Sequence, residues 1–161
     1  MYCLKAAQDK DKPWLDALRR AVYQNLFEAT WGGWDEEKHL SQFKRFWEKG
    51  SIKIIEVDKF PAGMLQLTIH DDKIEIEEIQ IDPAYQSRGL GAQVLGDIIT
   101  QAQHEGKEAI LSLGLKNTQA LHLYKRLGFV EHKRTETHIH MKYKADGTKP
   151  APLPSSPNYS Q

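Results

Sequence analysis

The sequence predicts a mixed α/β or α+β domain, and three observations carry that prediction. Four stretches repeat apolar residues at helical spacing. Short runs rich in Ile, Leu and Val with strand character lie between them. The two kinds follow one another in the order β-α-α-β-β-β-α-β-α-β-β, without an internal repeat.

Residues 1–7 read as a short edge strand. Pro13 opens a helix, where its missing N–H costs nothing. Trp14, Leu15, Leu18, Val22 and Leu26 form that helix's apolar stripe, and Gly32-Gly33 breaks the chain. Asp35 caps a second helix with Leu40, Phe43, Phe46 and Trp47 on one face and Gly50 past its end. Residues 52–57 and 64–69 read as strands turned at Lys59-Phe60-Pro61. A second turn at His70-Asp71-Asp72-Lys73 leads to a strand over 74–81. Its isoleucines at 74, 76, 79 and 81 break strict alternation, which suits a β-bulge. A helix over 89–105 turns Leu90, Val94, Leu95, Ile98, Ile99 and Ala102 inward, and Gly106 ends it. Residues 109–113 form a buried strand, 117–127 a helix closed by Gly128, and 129–134 and 135–144 the last strands. From Ala145 the chain turns rich in Pro and Ser and cannot bury enough apolar area to order itself. The expected organisation is a domain over 1–144 and a flexible tail over 145–161.

Composition narrows the function. The chain has 161 residues, about one domain's worth. Lys plus Arg is 22 and Asp plus Glu is 22, so the formal net charge is zero. A binder that relies on phosphate contacts shows a basic excess, so neither nucleic acid nor an anionic membrane is an expected partner. No apolar run is long enough to span a bilayer, and the N-terminus lacks the pattern of a secretory signal. The single cysteine, Cys3, makes no intramolecular disulfide and no thiolate-rich zinc site. His138 and His140 share a strand face without a third ligand, so no metal is expected. The expected setting is the cytoplasm.

The segment Ile79-Gln80-Ile81-Asp82-Pro83-Ala84-Tyr85-Gln86-Ser87-Arg88-Gly89-Leu90-Gly91-Ala92 is the most informative. A strand runs into a polar turn, and two glycines open an amphipathic helix. Free N–H groups and the positive helix end there make an anion site, and Arg88 adds a cation suited to phosphate. Gly89 and Gly91 equally suit a plain helix start. A P-loop is rejected because no G-x-x-x-x-G-K-[ST] occurs. A G-x-G-x-x-G fingerprint fails at Val94.

A second segment runs Leu113-Gly114-Leu115-Lys116-Asn117-Thr118-Gln119-Ala120-Leu121-His122-Leu123-Tyr124-Lys125-Arg126-Leu127-Gly128-Phe129. Together the two segments resemble the GNAT superfamily of acetyl-CoA-dependent N-acetyltransferases. Gln86-Ser87-Arg88-Gly89-Leu90-Gly91 is similar to that family's Q/R-x-x-G-x-G/A signature. Asn117, Ala120, Leu123-Tyr124 and Leu127-Gly128-Phe129 are similar to its N-x-x-A-x-x-L-Y-x-x-x-G-F signature. The resemblance implies a mixed, largely antiparallel central sheet flanked by helices, with a bulged and splayed strand at the acyl-CoA site. It implies acetyl-CoA as cofactor, CoA as product and no metal. It assigns the pantetheine arm to the backbone of Ile79, Gln80 and Ile81. It assigns the pyrophosphate to Gln86, Ser87, Arg88, Gly89, Leu90, Gly91 and Ala92, with Asn117, Ala120 and Tyr124 also at the cofactor. Asn117 equally suits an ordinary helix cap. Tyr124 matches the family's general acid, and a phenol, with a reference pKa of about 10, is protonated at neutral pH. It equally suits an aromatic cap on the core.

An alkylamine acceptor is protonated at neutral pH and has to lose a proton before it attacks. Glu77 and Glu78 are the candidate bases, with Glu75 weaker, and either Glu equally suits a solvated strand position. Adjacent strand residues face opposite ways, so one of the two faces the site. Trp31, Trp34 and Asp35 lie between the first two helices, a region that covers the acceptor pocket in the family. Two aromatic faces beside Asp35, Glu36 and Glu37 suit a cationic amine. The same residues also suit a helix start and core packing. The resulting expectation is N-acetylation of a small-molecule amine by direct attack. Acetylation of a protein N-terminus or lysine, or CoA binding without catalysis, are the alternatives. The family also pairs through its last strands, which admits a homodimer.

Overall fold

The element order expected from the sequence is the order observed. The computed structural model describes residues 1–143. They form β1 (Tyr2–Ala6), α1 (Lys12–Trp31), α2 (Glu36–Lys49), β2 (Ile52–Val57), β3 (Phe60–Ile69), β4 (Lys73–Ile81), α3 (Leu90–His104), β5 (Glu108–Gly114), α4 (Thr118–Leu127), β6 (Val130–Arg134) and β7 (His138–Tyr143). The tail expected over 145–161 lies outside the described residues. The strand order is β1-β2-β3-β4-β5-β7-β6. β4 and β5 run parallel, whereas β1–β2, β2–β3, β5–β7 and β6–β7 are antiparallel. This is the mixed, mostly antiparallel sheet with flanking helices that the resemblance implied. No helix of the described residues is long and apolar enough to cross a membrane.

The described residues divide into two compact units, and both β3 and β4 pass through each. One unit holds Met1–Gln66 and Glu78–Tyr85. Its core joins Leu15 and Leu18 of α1 to Ile52 and Ile54 of β2 and Met64 of β3, with Trp14, Val22, Phe43, Phe46 and Trp47 packed against it. Pro13 sits in the first turn of α1, and Gly32 ends the helix in the left-handed conformation. Asp35 caps α2, its carboxylate accepting the Lys38 amide at 3.0 Å. The apolar phase of α2 differs from the expected one. Leu40 is 51% exposed, and His39 beside it is the buried residue, at 0%. A one-residue step turns a helix by about 100°. Burial at His39 therefore sends Leu40 away from the core.

The turn before β3 also sits earlier than expected. Asp58 and Lys59 both take positive φ, 52° and 71°. They make the two-residue loop whose twist suits a hairpin. Phe60 and Pro61 therefore belong to β3, and the register shifts between Ile55 and Glu56 opposite them. A proline without an N–H to donate is tolerated at such an irregularity.

The other unit holds Leu67–Glu77 and the chain from Gln86. In α3 the buried residues are Leu90, Ala92, Val94, Leu95, Gly96, Ile98, Ile99 and Ala102, which include every residue expected to face inward. Ala109, Leu111 and Leu113 alternate inward along β5. A helical crossover between neighbouring strands makes them parallel, and β4 pairs with β5 from Lys73↔Glu108 to Ile76↔Leu111. Beyond Leu111, β5 continues through Ser112, Leu113 and Gly114, which pair with His140, Ile139 and His138 of β7.

Gly63 marks the tightest backbone approach in the first unit. A side-chain carbon at this position would collide with the Gln80 carbonyl oxygen, which is backbone and cannot rotate away. Gly63→Ala is therefore expected to cost about 1–3 kcal/mol of stability, read from the urea midpoint. An unchanged midpoint would show that β3 and β4 have room to part.

Candidate active site

In the second unit, the turn into α3 is shaped by two left-handed residues. Ser87 has φ 63° and Gly89 has φ 78°, with Arg88 between them outside that region. Alternating handedness curls successive amides toward one side and forms an anion-binding concavity. Gly89 is the N-cap and contributes no side-chain hydrogen bond. The first bond within the helix runs from the Gln93 amide to the Gly89 carbonyl at 3.0 Å. The amides of Leu90, Gly91 and Ala92 precede it and have no carbonyl to reach inside the helix. Leu90 and Ala92 turn their side chains into the core, so at these positions the turn offers backbone. Gln86, Ser87 and Arg88 are exposed. This donor set and the helix dipole fit a phosphate-bearing cofactor.

α4 begins at Asn117, whose Oδ1 accepts the Ala120 amide at 3.3 Å. Asn117 is therefore a helix cap whatever else it does. Half-buried Tyr124 lies edge-on to Phe129 at 6.0 Å, and Phe129 lies edge-on to Tyr143 at 5.9 Å. The Phe129 amide donates to the Tyr124 carbonyl at 3.0 Å, so the Gly128 turn ties the ring's backbone to the following strand. Glu77 accepts the Thr68 hydroxyl at 3.0 Å.

In the first unit, Ile79 and Ile81 are half-buried on β4, and Gln80 is 3% exposed. Glu78 is the hub of a polar cluster there. Its Oε1 accepts from the Tyr23 hydroxyl at 2.7 Å, from Gln80 Nε2 at 2.8 Å and from Arg19 Nη1 at 3.4 Å. Arg19 Nη2 donates to Gln42 Oε1 at 2.6 Å. Arg19 and Tyr23 are absent from the sequence reading. The signal for them was an arginine four residues from Leu15 and Tyr23, inside the apolar stripe of α1.

Trp31, Gly32, Gly33, Trp34, Asp35, Glu36 and Glu37 line a surface cavity of about 450 Å³. Several of its groups already have partners within the chain. Lys38 Nζ lies 3.7 Å from the centre of the Trp31 ring, and the Arg20 guanidinium lies 5.8 Å from that of Trp34. Trp34 Nε1 donates to Glu36 at 2.9 Å. Arg20 forks onto Glu36 at 2.6 and 2.7 Å and donates through Nε to Asp16 at 2.8 Å. Asp16 meets the buried His39 Nε2 at 2.6 Å. Burial pushes the Asp16 carboxyl up, but hydrogen bonds from Arg20 and His39 and their charges outweigh it and hold the group below its ordinary range. The Arg20 fork, helped by the Trp34 N–H, lowers Glu36 to about 2. Among the described residues no group of three or more His, Cys, Asp or Glu is arranged to hold a metal.

The model of the acetyltransferase (GNAT) family matches residues 20–129. The chain is similar to an uncharacterized N-acetyltransferase of Methanocaldococcus jannaschii, 40% identical over 58 residues, which cover 35% of this chain and 26% of that protein. It is similar to the mycothiol acetyltransferase of Acidimicrobium ferrooxidans, 29% identical over 133 residues, which cover 78% of this chain and 42% of that protein. The chain thus spans less than half the length of these curated relatives. The crystal structure of PaiA N-acetyltransferase from Thermoplasma acidophilum in complex with coenzyme A is similar in fold. Its TM-score is 0.69 at 17% identity, covering 89% of this chain and 99% of that one.

The Arg20–Glu36 pair has a defined acid response. An ordinary glutamate has a pKa of 4.5, whereas folded Glu36 keeps its charge down to about 2. The pair therefore favours folding above pH 4.5, and that contribution is lost as pH falls through about 2. A carboxyl-detected NMR titration should place the Glu36 midpoint at about 2, well below the ordinary 4.5. A Glu36 midpoint near 4.5 would contradict the pairing.

Proposed function

The chain belongs to the acetyltransferase (GNAT) family, and from that premise we propose that it transfers an acetyl group from acetyl-CoA to a primary amine of a small molecule. The observation that carries the reading is the turn into α3, where Ser87 and Gly89 curl the backbone and the Leu90, Gly91 and Ala92 amides have no helical acceptor. Gln86, Ser87, Arg88, Gly89, Leu90, Gly91 and Ala92 are assigned to the cofactor's phosphates. The backbone of Ile79, Gln80 and Ile81 is assigned to its pantetheine arm, with Asn117 and Ala120 at the start of α4 also on the cofactor. Acetyl-CoA, when bound, supplies a thioester carbonyl activated toward an amine. Tyr124 holds a proton on its hydroxyl oxygen and releases it to the anionic sulfur. Glu77 and Glu78 are the candidate groups for the amine's proton.

The acceptor is assigned to Trp31, Trp34 and Asp35. Their cavity has the size of a small-molecule site. Lys38 already covers the Trp31 ring, so a cationic acceptor displaces that ammonium instead of meeting a bare face.

The test is release of free thiol from acetyl-CoA across a panel of amines. Amine-dependent release with small amines is the expected result. Release with peptide amines alone would favour a protein acceptor, and none despite acetyl-CoA binding would favour a regulatory domain. Tyr124→Phe should lower turnover about 10²–10⁴-fold while leaving acetyl-CoA affinity near the wild-type value. Unchanged turnover would remove Tyr124 as the acid.

A further inference from the structure

Glu78 and Glu77 are equivalent in the sequence, but their surroundings differ. Within the first unit three donors from two elements converge on a single oxygen of Glu78. Tyr23 of α1 approaches Oε1 at 2.7 Å, Gln80 of β4 at 2.8 Å and Arg19 of α1 at 3.4 Å. One carboxylate oxygen offers about two lone-pair directions, so Oε1 is saturated. Oε2 accepts no hydrogen bond among the described residues.

The donors are themselves held. Arg19 is 9% exposed, its Nη2 is bonded to Gln42 and its guanidinium lies 4.9 Å from the centre of the Tyr23 ring. Gln80 is buried and shares its strand face with Glu78, two residues away. Among the described residues, Arg19 Nε is buried without a hydrogen-bond partner. Leaving a buried donor unmet costs free energy. The arrangement accepts that cost to keep the guanidinium over Tyr23 and beside Glu78.

Resting on the acetyltransferase reading above, we infer that Arg19, Tyr23 and Gln80 are positioning residues that lock Glu78 through Oε1 and reserve Oε2 for the proton of the acceptor amine. Glu78, and not Glu77, is then the carboxylate that serves the acceptor. The amine N–H bond breaks as an O–H bond forms at Oε2. The N–H electron pair stays on nitrogen and becomes the nucleophile. The fixed Oε1 contacts keep the side chain from rotating as the proton arrives.

Tyr23→Phe tests this with little risk to folding, since it removes one hydroxyl and keeps the ring. With an amine that the wild-type protein acetylates, the expected result is about a tenfold fall in kcat, with the KM for acetyl-CoA unchanged. Glu78→Gln should lower kcat further, and by more than Glu77→Gln does. Adding Tyr23→Phe to Glu78→Gln should produce little additional loss, because the contribution assigned to the hydroxyl runs through the carboxylate it donates to. Losses that multiply would assign Tyr23 a separate structural role and overturn the inference. Full kcat in Tyr23→Phe and Glu78→Gln, with a working wild type, would overturn it while leaving the acetyltransferase reading intact. A wild type that releases no thiol with any amine removes that reading and this inference with it.

Discussion

The charge that Arg19 carries into the interior along α1 has to be neutralised where it lies, because little water is there to do it. Its half-exposed neighbours Asp16 and Arg20 are paired as well. Arg19 reaches Glu78 and Gln42. Asp16 meets His39 and Arg20, and Arg20 continues to Glu36. Apart from Asp16–Arg20, which lies within α1, these pairings tie α1 to α2 or β4 within the first unit. Apolar packing of Leu15 and Leu18 on Ile52, Ile54 and Met64 brings the helices to the strands.

A different requirement shapes the second unit. α3 brings its own N-terminal amides to the end of a turn and offers no side-chain cap. The turn enters the helix through two left-handed residues, one of them a serine, which holds that conformation at some expense. Leu90 and Ala92 anchor the first turn in the core. Rigid apolar packing thus fixes a set of donors whose partner comes from outside the helix. This is the physical sense in which a glycine-containing turn is more than a chain reversal.

Much of the fold was legible because its signals are local. Pro13, Asp35, Gly32, Asn117 and Gly128 each act through the neighbouring few residues, and each stands where its chemistry predicts. The phase of α2 was not legible. Leu40 and His39 are adjacent, and hydropathy favours burying the leucine. Asp16, distant in the chain, supplies the partner that lets the histidine go inside instead. The turn at Asp58-Lys59 was missed for a related reason. Neither residue is glycine or asparagine, so their positive φ has no strong sequence signal.

By itself, the sequence determined the element order, the inward face of α3 and the two motifs that mark the family, because periodicity and turn chemistry are properties of short stretches. Tertiary structure alone decided which partners the charged groups take. It put β7 between β5 and β6, a parallel β5 beside β4, and Lys38 on the Trp31 ring. It also separated Glu78 from Glu77, bringing Arg19 and Tyr23 to one and Thr68 to the other. The physical reason is range. A hydrogen bond between residues 59 positions apart leaves no trace in local spacing, since it forms only after the helix and the strand have packed.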